Sequence, residues 1–197
     1  MSVIINPRGA SGSGKTELAR RIMAAYGGEQ GDGPERVYRA GRARPICYRF
    51  PHPRGGRPLI VLGHYEVTSG GCDTISGVEE VCRLVESYAA AGHDVLFEGL
   101  DVSRESERTA ALAAAHRLHV LHLSTPLDRC IGNVIARRRA RKAVRPQISK
   151  NTTEDYRRVG DACARLRRCA QVEFVSFDDA LLRAQELLGL APLRAAA

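Results

Sequence analysis

With 197 residues, 44% of them hydrophobic, the chain is long enough to bury a full core and suits one domain, residues 1–197, rather than a string of modules. Its 30 lysines and arginines outnumber 22 acids, and the formal net charge of +8 favours anionic partners such as nucleotides or nucleic acid. Six cysteines without a C-x-x-C pair argue against a disulfide framework. No signal peptide and no membrane-length apolar run is evident, so a reducing cytoplasm is the expected compartment, with no membrane partner.

Taken in order, Val3-Ile4-Ile5 reads as a buried strand, and Gly9-Ala10-Ser11-Gly12-Ser13-Gly14-Lys15-Thr16 follows it. That octapeptide matches the Walker A motif G-x-x-x-x-G-K-[ST] at every fixed position. The next residues place Leu18, Ala19, Ile22 and Met23 on one helical face, with Gly27 and Gly28 as the stop. Strand, glycine loop and helix together make a P-loop, a nucleotide-binding site for ATP with Mg2+. Glycines let successive N–H groups turn inward, and the helix N-terminus adds positive potential. Gly9, Ser11, Gly12, Ser13, Gly14, Lys15 and Thr16 are therefore the ATP-binding residues; Lys15 reaches the β/γ-phosphates and the Thr16 hydroxyl serves the metal.

Residues 27–33 read as a polar surface loop. Residues 46–50 and 59–62 read as strands around a proline- and glycine-rich turn, and the second is apolar enough for a central parallel position. A loop with Glu66 and Gly70-Gly71-Cys72-Asp73-Thr74 leads to an amphipathic helix, with Ser76 and Glu79 spaced as a capping box. Residues 94–99 form the next strand, ending in Glu98, and an alanine-rich helix runs to about Arg117. Residues 119–123 are a strand, Thr125 an expected N-cap with Pro126 at N1, and the helix that follows runs into an arginine cluster. A helix from about Thr153, a strand over 172–177, a last helix near 181–188 and a frayed tail from Ala191 complete the chain.

Alternating strands and helices predict an α/β fold: a three-layer P-loop NTPase sandwich with a mostly parallel, doubly wound sheet. Ligands in such sheets gather at the carboxyl ends of strands, which brings residues 9–16, 64–73, Glu98 and the segment after Leu123 around one cleft. Glu98 is placed to hold Mg2+ with Thr16. Transfer to a hydroxyl needs a carboxylate to orient or deprotonate it; Asp73 is the first choice and Glu66 the second, against the plainer reading of loop capping. Arg137, Arg138, Arg139, Arg141, Lys142 and Arg145 repel one another on a free helix, and read either as a solvated face or as a lid over about residues 136–152. Arg137 and Arg141 are the lid arginines to test at the γ-phosphate. His119 and His122 fall on opposite faces of a strand, a poor zinc geometry, and His64 reads equally as a substrate contact or a structural hydrogen bond.

No guanine-reading N-K-x-D motif is present, and the chain is short for a motor with appended domains. A small P-loop unit with an acid after its second core strand and a basic lid resembles the nucleoside, nucleotide and polynucleotide kinases. More narrowly, Leu62-Gly63-His64-Tyr65-Glu66, Gly70-Gly71-Cys72-Asp73-Thr74 and Phe97-Glu98-Gly99, with the P-loop, resemble the bacteriophage kinases that phosphorylate 5-hydroxymethyluracil in DNA. That resemblance implies a DNA-modification transferase that prepares thymidine hypermodification in the bacterial host cytoplasm. Its partners would be ATP and DNA containing 5-hydroxymethyluracil. It does not assign the base between Asp73 and Glu66. The basic charge suits a DNA-binding enzyme, and Tyr38, Tyr48, Phe50 and Tyr65 are candidate stacking groups. A kinase of free nucleosides or nucleotides is the alternative, and a non-catalytic ATP-dependent nucleic-acid binder the third reading. The residues do not specify an oligomeric state.

Overall fold

Ile4 and Ile5 are neighbours in the chain yet belong to two different hydrophobic clusters, because successive side chains of a strand face opposite ways. The same alternation separates Ile60 and Leu62 from Leu59 and Val61, and Leu118 and Val120 from Leu121 and Leu123. A central sheet buried on both faces is the consequence. The computed structural model describes residues 1–27, 33–67, 70–99 and 105–190. The loop read at 27–33 and the tail from Ala191 fall wholly or mainly outside the described residues.

Among the described residues, seven strands form one sheet: β1 Val3–Arg8, β2 Glu35–Val37, β3 Cys47–Phe50, β4 Leu59–Leu62, β5 Asp94–Leu96, β6 Arg117–Leu123 and β7 Gln171–Val175. Their order is β2-β3-β4-β5-β1-β6-β7. Pairing from β4 through β7 is parallel throughout, whereas β3 runs antiparallel to β4 and β2 to β3. The six α-helices among the described residues are α1 Lys15–Tyr26, α2 Val78–Ala90, α3 Glu105–Ala115, α4 Leu127–Arg137, α5 Arg145–Leu166 and α6 Phe177–Leu187. Helices α1 and α6 cover one face of the sheet through Leu18, Ile22, Ala180 and Ala184. Helices α2, α3 and α5 cover the other through Val81, Val85, Leu112 and Leu166. Truncating a fully buried side chain such as Ile4 or Leu121 to alanine costs about 2–5 kcal/mol at such sites.

Several local expectations change. The Ser76/Glu79 capping box does not form: Gly77 is the N-cap of α2, without a side-chain cap. Arginines compete for both groups instead, since Arg42 Nη2 donates to Ser76 Oγ at 2.6 Å and Arg108 Nη2 to Glu79 Oε1 at 2.9 Å. Thr125 is not a cap either; Pro126 holds that position, and the threonine hydroxyl is used elsewhere. The arginine-rich segment is shorter than expected, because α5 starts at Arg145 with a proline in its first turn rather than near Thr153. The alanine-rich helix stops at Ala115, and Arg117 already belongs to β6. The last helix begins at Phe177, where Ser176 Oγ accepts the Asp179 N–H. Strand β2 has three residues and a charged sequence, so no apolar period announced it. The strand expected to be centrally parallel, β4, is parallel on one side and antiparallel on the other.

Candidate active site

Strand β1 ends at Arg8 and α1 starts at Lys15, so residues 9–14 turn at the carboxyl end of the sheet. Two helices wrap the apex of this turn. Asn133 Nδ2 on α4 donates to the Gly12 carbonyl at 2.9 Å, and Thr125 Oγ1 donates to the Ser13 carbonyl at 2.8 Å. Gly12 has a φ of +83°, and a Cβ there would run into the Cys130 carbonyl of α4. Glycine is required at this point by both backbone and neighbour. From α5, Asp155 Oδ2 accepts the Ser11 N–H at 2.6 Å. An anionic oxygen is thus already seated on one amide of the loop, as expected of inward-pointing N–H groups. Lys15 Nζ donates to the Gly9 carbonyl at 2.6 Å and the Ala10 carbonyl at 3.2 Å.

Glu98 stands beside this loop. Thr16 Oγ1 donates to Glu98 Oε2 at 3.3 Å, while Glu98 Oε1 is buried with no hydrogen-bond partner among the described residues. Burial pushes the Glu98 carboxyl above the ordinary carboxylate range; Lys15, the Thr16 hydroxyl and the nearby Tyr65 hydroxyl pull it back, and Asp73 adds a smaller upward push. The Thr16 hydroxyl and the two oxygens of the Glu98 carboxylate are hard oxygen donors, the kind that Mg2+ takes, usually keeping several waters. The residues present therefore fit that ion. Tyr65 lies under the same carboxylate: burial, then the Glu98 charge, holds its phenol proton on.

In the second loop the described residues 63–67 and 70–76 come back against each other. His64 and Gly71 form an antiparallel bridge, and Cys72–Thr74 make one 3₁₀ turn. Gly71, with a φ of +99°, packs its backbone on Glu98, where a Cβ would lie 2.9 Å from Oε1. Asp73, two residues on, is exposed to solvent and near enough for its charge to act on Glu98. Two arginines outside the loop pin it. Arg20 on α1 donates to the Tyr65 carbonyl at 3.2 and 3.1 Å and to the Val67 carbonyl at 2.7 Å. Arg42, between β2 and β3, donates to the Thr74 carbonyl at 2.8 Å.

The expected residues do not all converge. Thr16, Glu98, the P-loop and the Asp73 turn meet. Glu66 turns away: it is exposed, its Oε1 accepts from Arg36 Nε at 2.7 Å, and that bond lowers its carboxyl below the usual range. His64 is buried with Nδ1 3.1 Å from the Tyr48 hydroxyl, the structural alternative of its two readings. Tyr48, Phe50 and Tyr65 are core residues and unavailable for stacking, which leaves Tyr38, 52% exposed. Arg137 ends α4, and Arg141 borders a cavity between α4 and α5. Neither hydrogen-bonds the P-loop among the described residues. His119 and His122 face opposite sides of β6, the latter against Phe174 with ring centroids 5.0 Å apart. All six cysteines are free.

Sequence reasoning missed Asp155, Asn133, Arg20 and Arg42, all of which act on loops distant in the chain. Only Thr125 carried a signal, and its position before a helix suggested a cap instead.

No protein-family profile matches the chain. The protein named 5-hmdU DNA kinase from Pseudomonas phage PaMx11 is 38% identical over 167 residues, spanning 83% of this chain and 84% of the phage protein.

Proposed function

The chain belongs to the 5-hmdU DNA kinase family, and from that premise we propose a division of labour for phosphoryl transfer from ATP to the 5-hydroxymethyl group of 5-hydroxymethyluracil in phage DNA. The observation that carries it is the meeting at Glu98 of two loops, one built to hold phosphate through Thr16 and one presenting Asp73 past Gly71. The amides of residues 9–16 and Lys15 hold the β/γ-phosphates of ATP. Thr16 and Glu98 would hold Mg2+, which when bound neutralises charge on the phosphate oxygens. Asp73 accepts the proton of the base's hydroxymethyl group as its oxygen attacks the γ-phosphorus, and ADP leaves. The electrostatic influence of Asp73 on Glu98, against the ion pairing of Glu66 with Arg36, supports Asp73 over Glu66 in this role. The segment over 136–152 acts as a lid, with Arg137 or Arg141 brought to the γ-phosphate on closure. We read residues 1–197 as one kinase unit working in the host cytoplasm, and its phosphorylated base as the leaving group for thymidine hypermodification. No helix among the described residues is long and apolar enough to cross a membrane.

An acceptor screen tests this. γ-labelled ATP should label duplex DNA that contains 5-hydroxymethyluracil, and neither unmodified DNA nor free nucleosides. Label confined to free nucleosides or nucleotides would instead establish the monomer kinase.

A further inference from the structure

Beyond the P-loop, α4, α5 and the segment joining them line an open cavity of about 540 Å³. It is lined by Arg138, Arg139, Arg141, Gln147, Ile148 and Asn151, among others. A space of this size falls in the range of ligand pockets. Its chemistry is one-sided: among the described residues no ion pair involves Arg138, Arg139 or Arg141. Three guanidinium groups around one concavity without a carboxylate repel one another, and an anion relieves that repulsion. Arg139 adds a second observation. Its φ of +46° makes it the one non-glycine residue with positive φ among those described. Such backbone is costly for a side chain with a Cβ, and strain of this kind collects at binding and switch sites.

Position decides which anion. Gln147, Asn151 and Asp155 follow one another at four-residue spacing on α5, so they stack along one face, with about 6 Å of rise per step. Asp155 touches the P-loop at Ser11, and the cavity residues lie one and two turns farther out. The phosphates of ATP are served by the loop itself, by Lys15 and by the one lid arginine, Arg137 or Arg141, that closure brings to the γ-phosphate. By elimination, the reaction's remaining anions are the phosphates flanking an acceptor nucleotide in a polymer. The lining fits such a unit: guanidinium for phosphodiester, the Gln147–Asn151 amide pair (bonded at 2.6 Å) for sugar or base edge, Ile148 for an apolar floor.

We propose that this cavity seats the phosphodiester backbone of the DNA substrate next to the base being phosphorylated, with Arg138 and Arg139 as its phosphate contacts. The proposal rests on the DNA-kinase reading and extends it to a second, polymer-binding site on the lid.

The test uses the Arg138→Gln/Arg139→Gln double variant of the full chain. Binding to labelled duplex containing 5-hydroxymethyluracil is followed by anisotropy across a salt series, with ATP binding measured separately by calorimetry. Loss of two charged contacts should weaken DNA binding on the order of tenfold or more and make the salt dependence shallower by about two units of slope, ATP affinity being unchanged. Arg139→Gly removes the strain together with one guanidinium; it should melt no lower than wild type yet bind DNA more weakly. Unchanged DNA affinity and salt slope in the double variant overturn the proposal. So does weakened ATP binding with DNA binding intact, which would assign the cavity to the nucleotide. A wild-type protein that binds this DNA but transfers no phosphate refutes the kinase reading, while the salt series still decides the cavity.

Discussion

Two glycine-bearing loops, residues 9–14 and 63–76, both follow strands of the parallel sheet and both end at Glu98, but they are held in opposite ways. The donor loop is gripped by its own helical surroundings: Thr125, Asn133 and Asp155 bond its backbone, and Gly12 lies under the Cys130 carbonyl. The acceptor loop is braced by long guanidinium arms reaching across from α1 and from the β2–β3 connection. Glu98 is the post they share, bonded by Thr16 from one side and covered by Gly71 from the other. Both loops thus depend on side chains far away in sequence, the first on the short side chains of Thr125, Asn133 and Asp155, the second on two long arginines, each of which a single substitution removes.

The largest effect should come from the reacting end of the acceptor loop. Asp73→Asn keeps the turn's shape but loses the proton acceptor, and kcat should fall about 10²–10⁴-fold with ATP binding intact. Lys15→Ala strikes the donor loop, where one charge donor to the transferring phosphate is worth about 10²–10³-fold, read together with weakened ATP binding. Unchanged turnover in that variant refutes the P-loop assignment.

Glu98→Gln tests the shared post and should separate activity from stability. Burial raises this carboxyl, so its ionised form costs folding free energy above the raised pKa, and the cost is relieved as pH falls through it. A neutral amide avoids the cost. The variant should therefore melt at a higher temperature than wild type near neutral pH, while activity and metal affinity fall about 10–100-fold. A lower melting temperature would show that the carboxylate stabilises the fold. The smallest effect is expected for Arg42→Ala, which frees the Thr74 carbonyl and loosens the Asp73 turn without touching substrate. A loss of about tenfold in kcat, with ATP binding unchanged, would mark it as a positioning residue.

The two loops also differ in how much was legible beforehand. The donor loop could be read because its chemistry is local: five glycine, lysine and threonine positions in eight residues, between an apolar strand and a helix. Glu98 could be read because it ends a buried strand. The strands of the core were legible from their apolar runs, but β2, short and charged, was not. The bracing of the acceptor loop was not legible, because Arg20 and Arg42 meet it only through the tertiary fold. Capping failed at Ser76 and Thr125 for a related reason: each side chain found a better partner far away in sequence, Arg42 and the Ser13 carbonyl respectively. The start of α5 was misjudged because the cationic run at 137–145 obscured a helix that begins with Arg145-Pro146.

The most direct measurement sets the two acceptor-loop carboxylates against each other. Single-turnover transfer from γ-labelled ATP to DNA containing 5-hydroxymethyluracil would be compared for Asp73→Asn and Glu66→Gln at saturating ATP. The account predicts that Asp73→Asn loses the chemical step while Glu66→Gln, already neutralised by Arg36, retains most of it. Full transfer by Asp73→Asn with loss in Glu66→Gln would contradict the account and move the base to the other end of the loop.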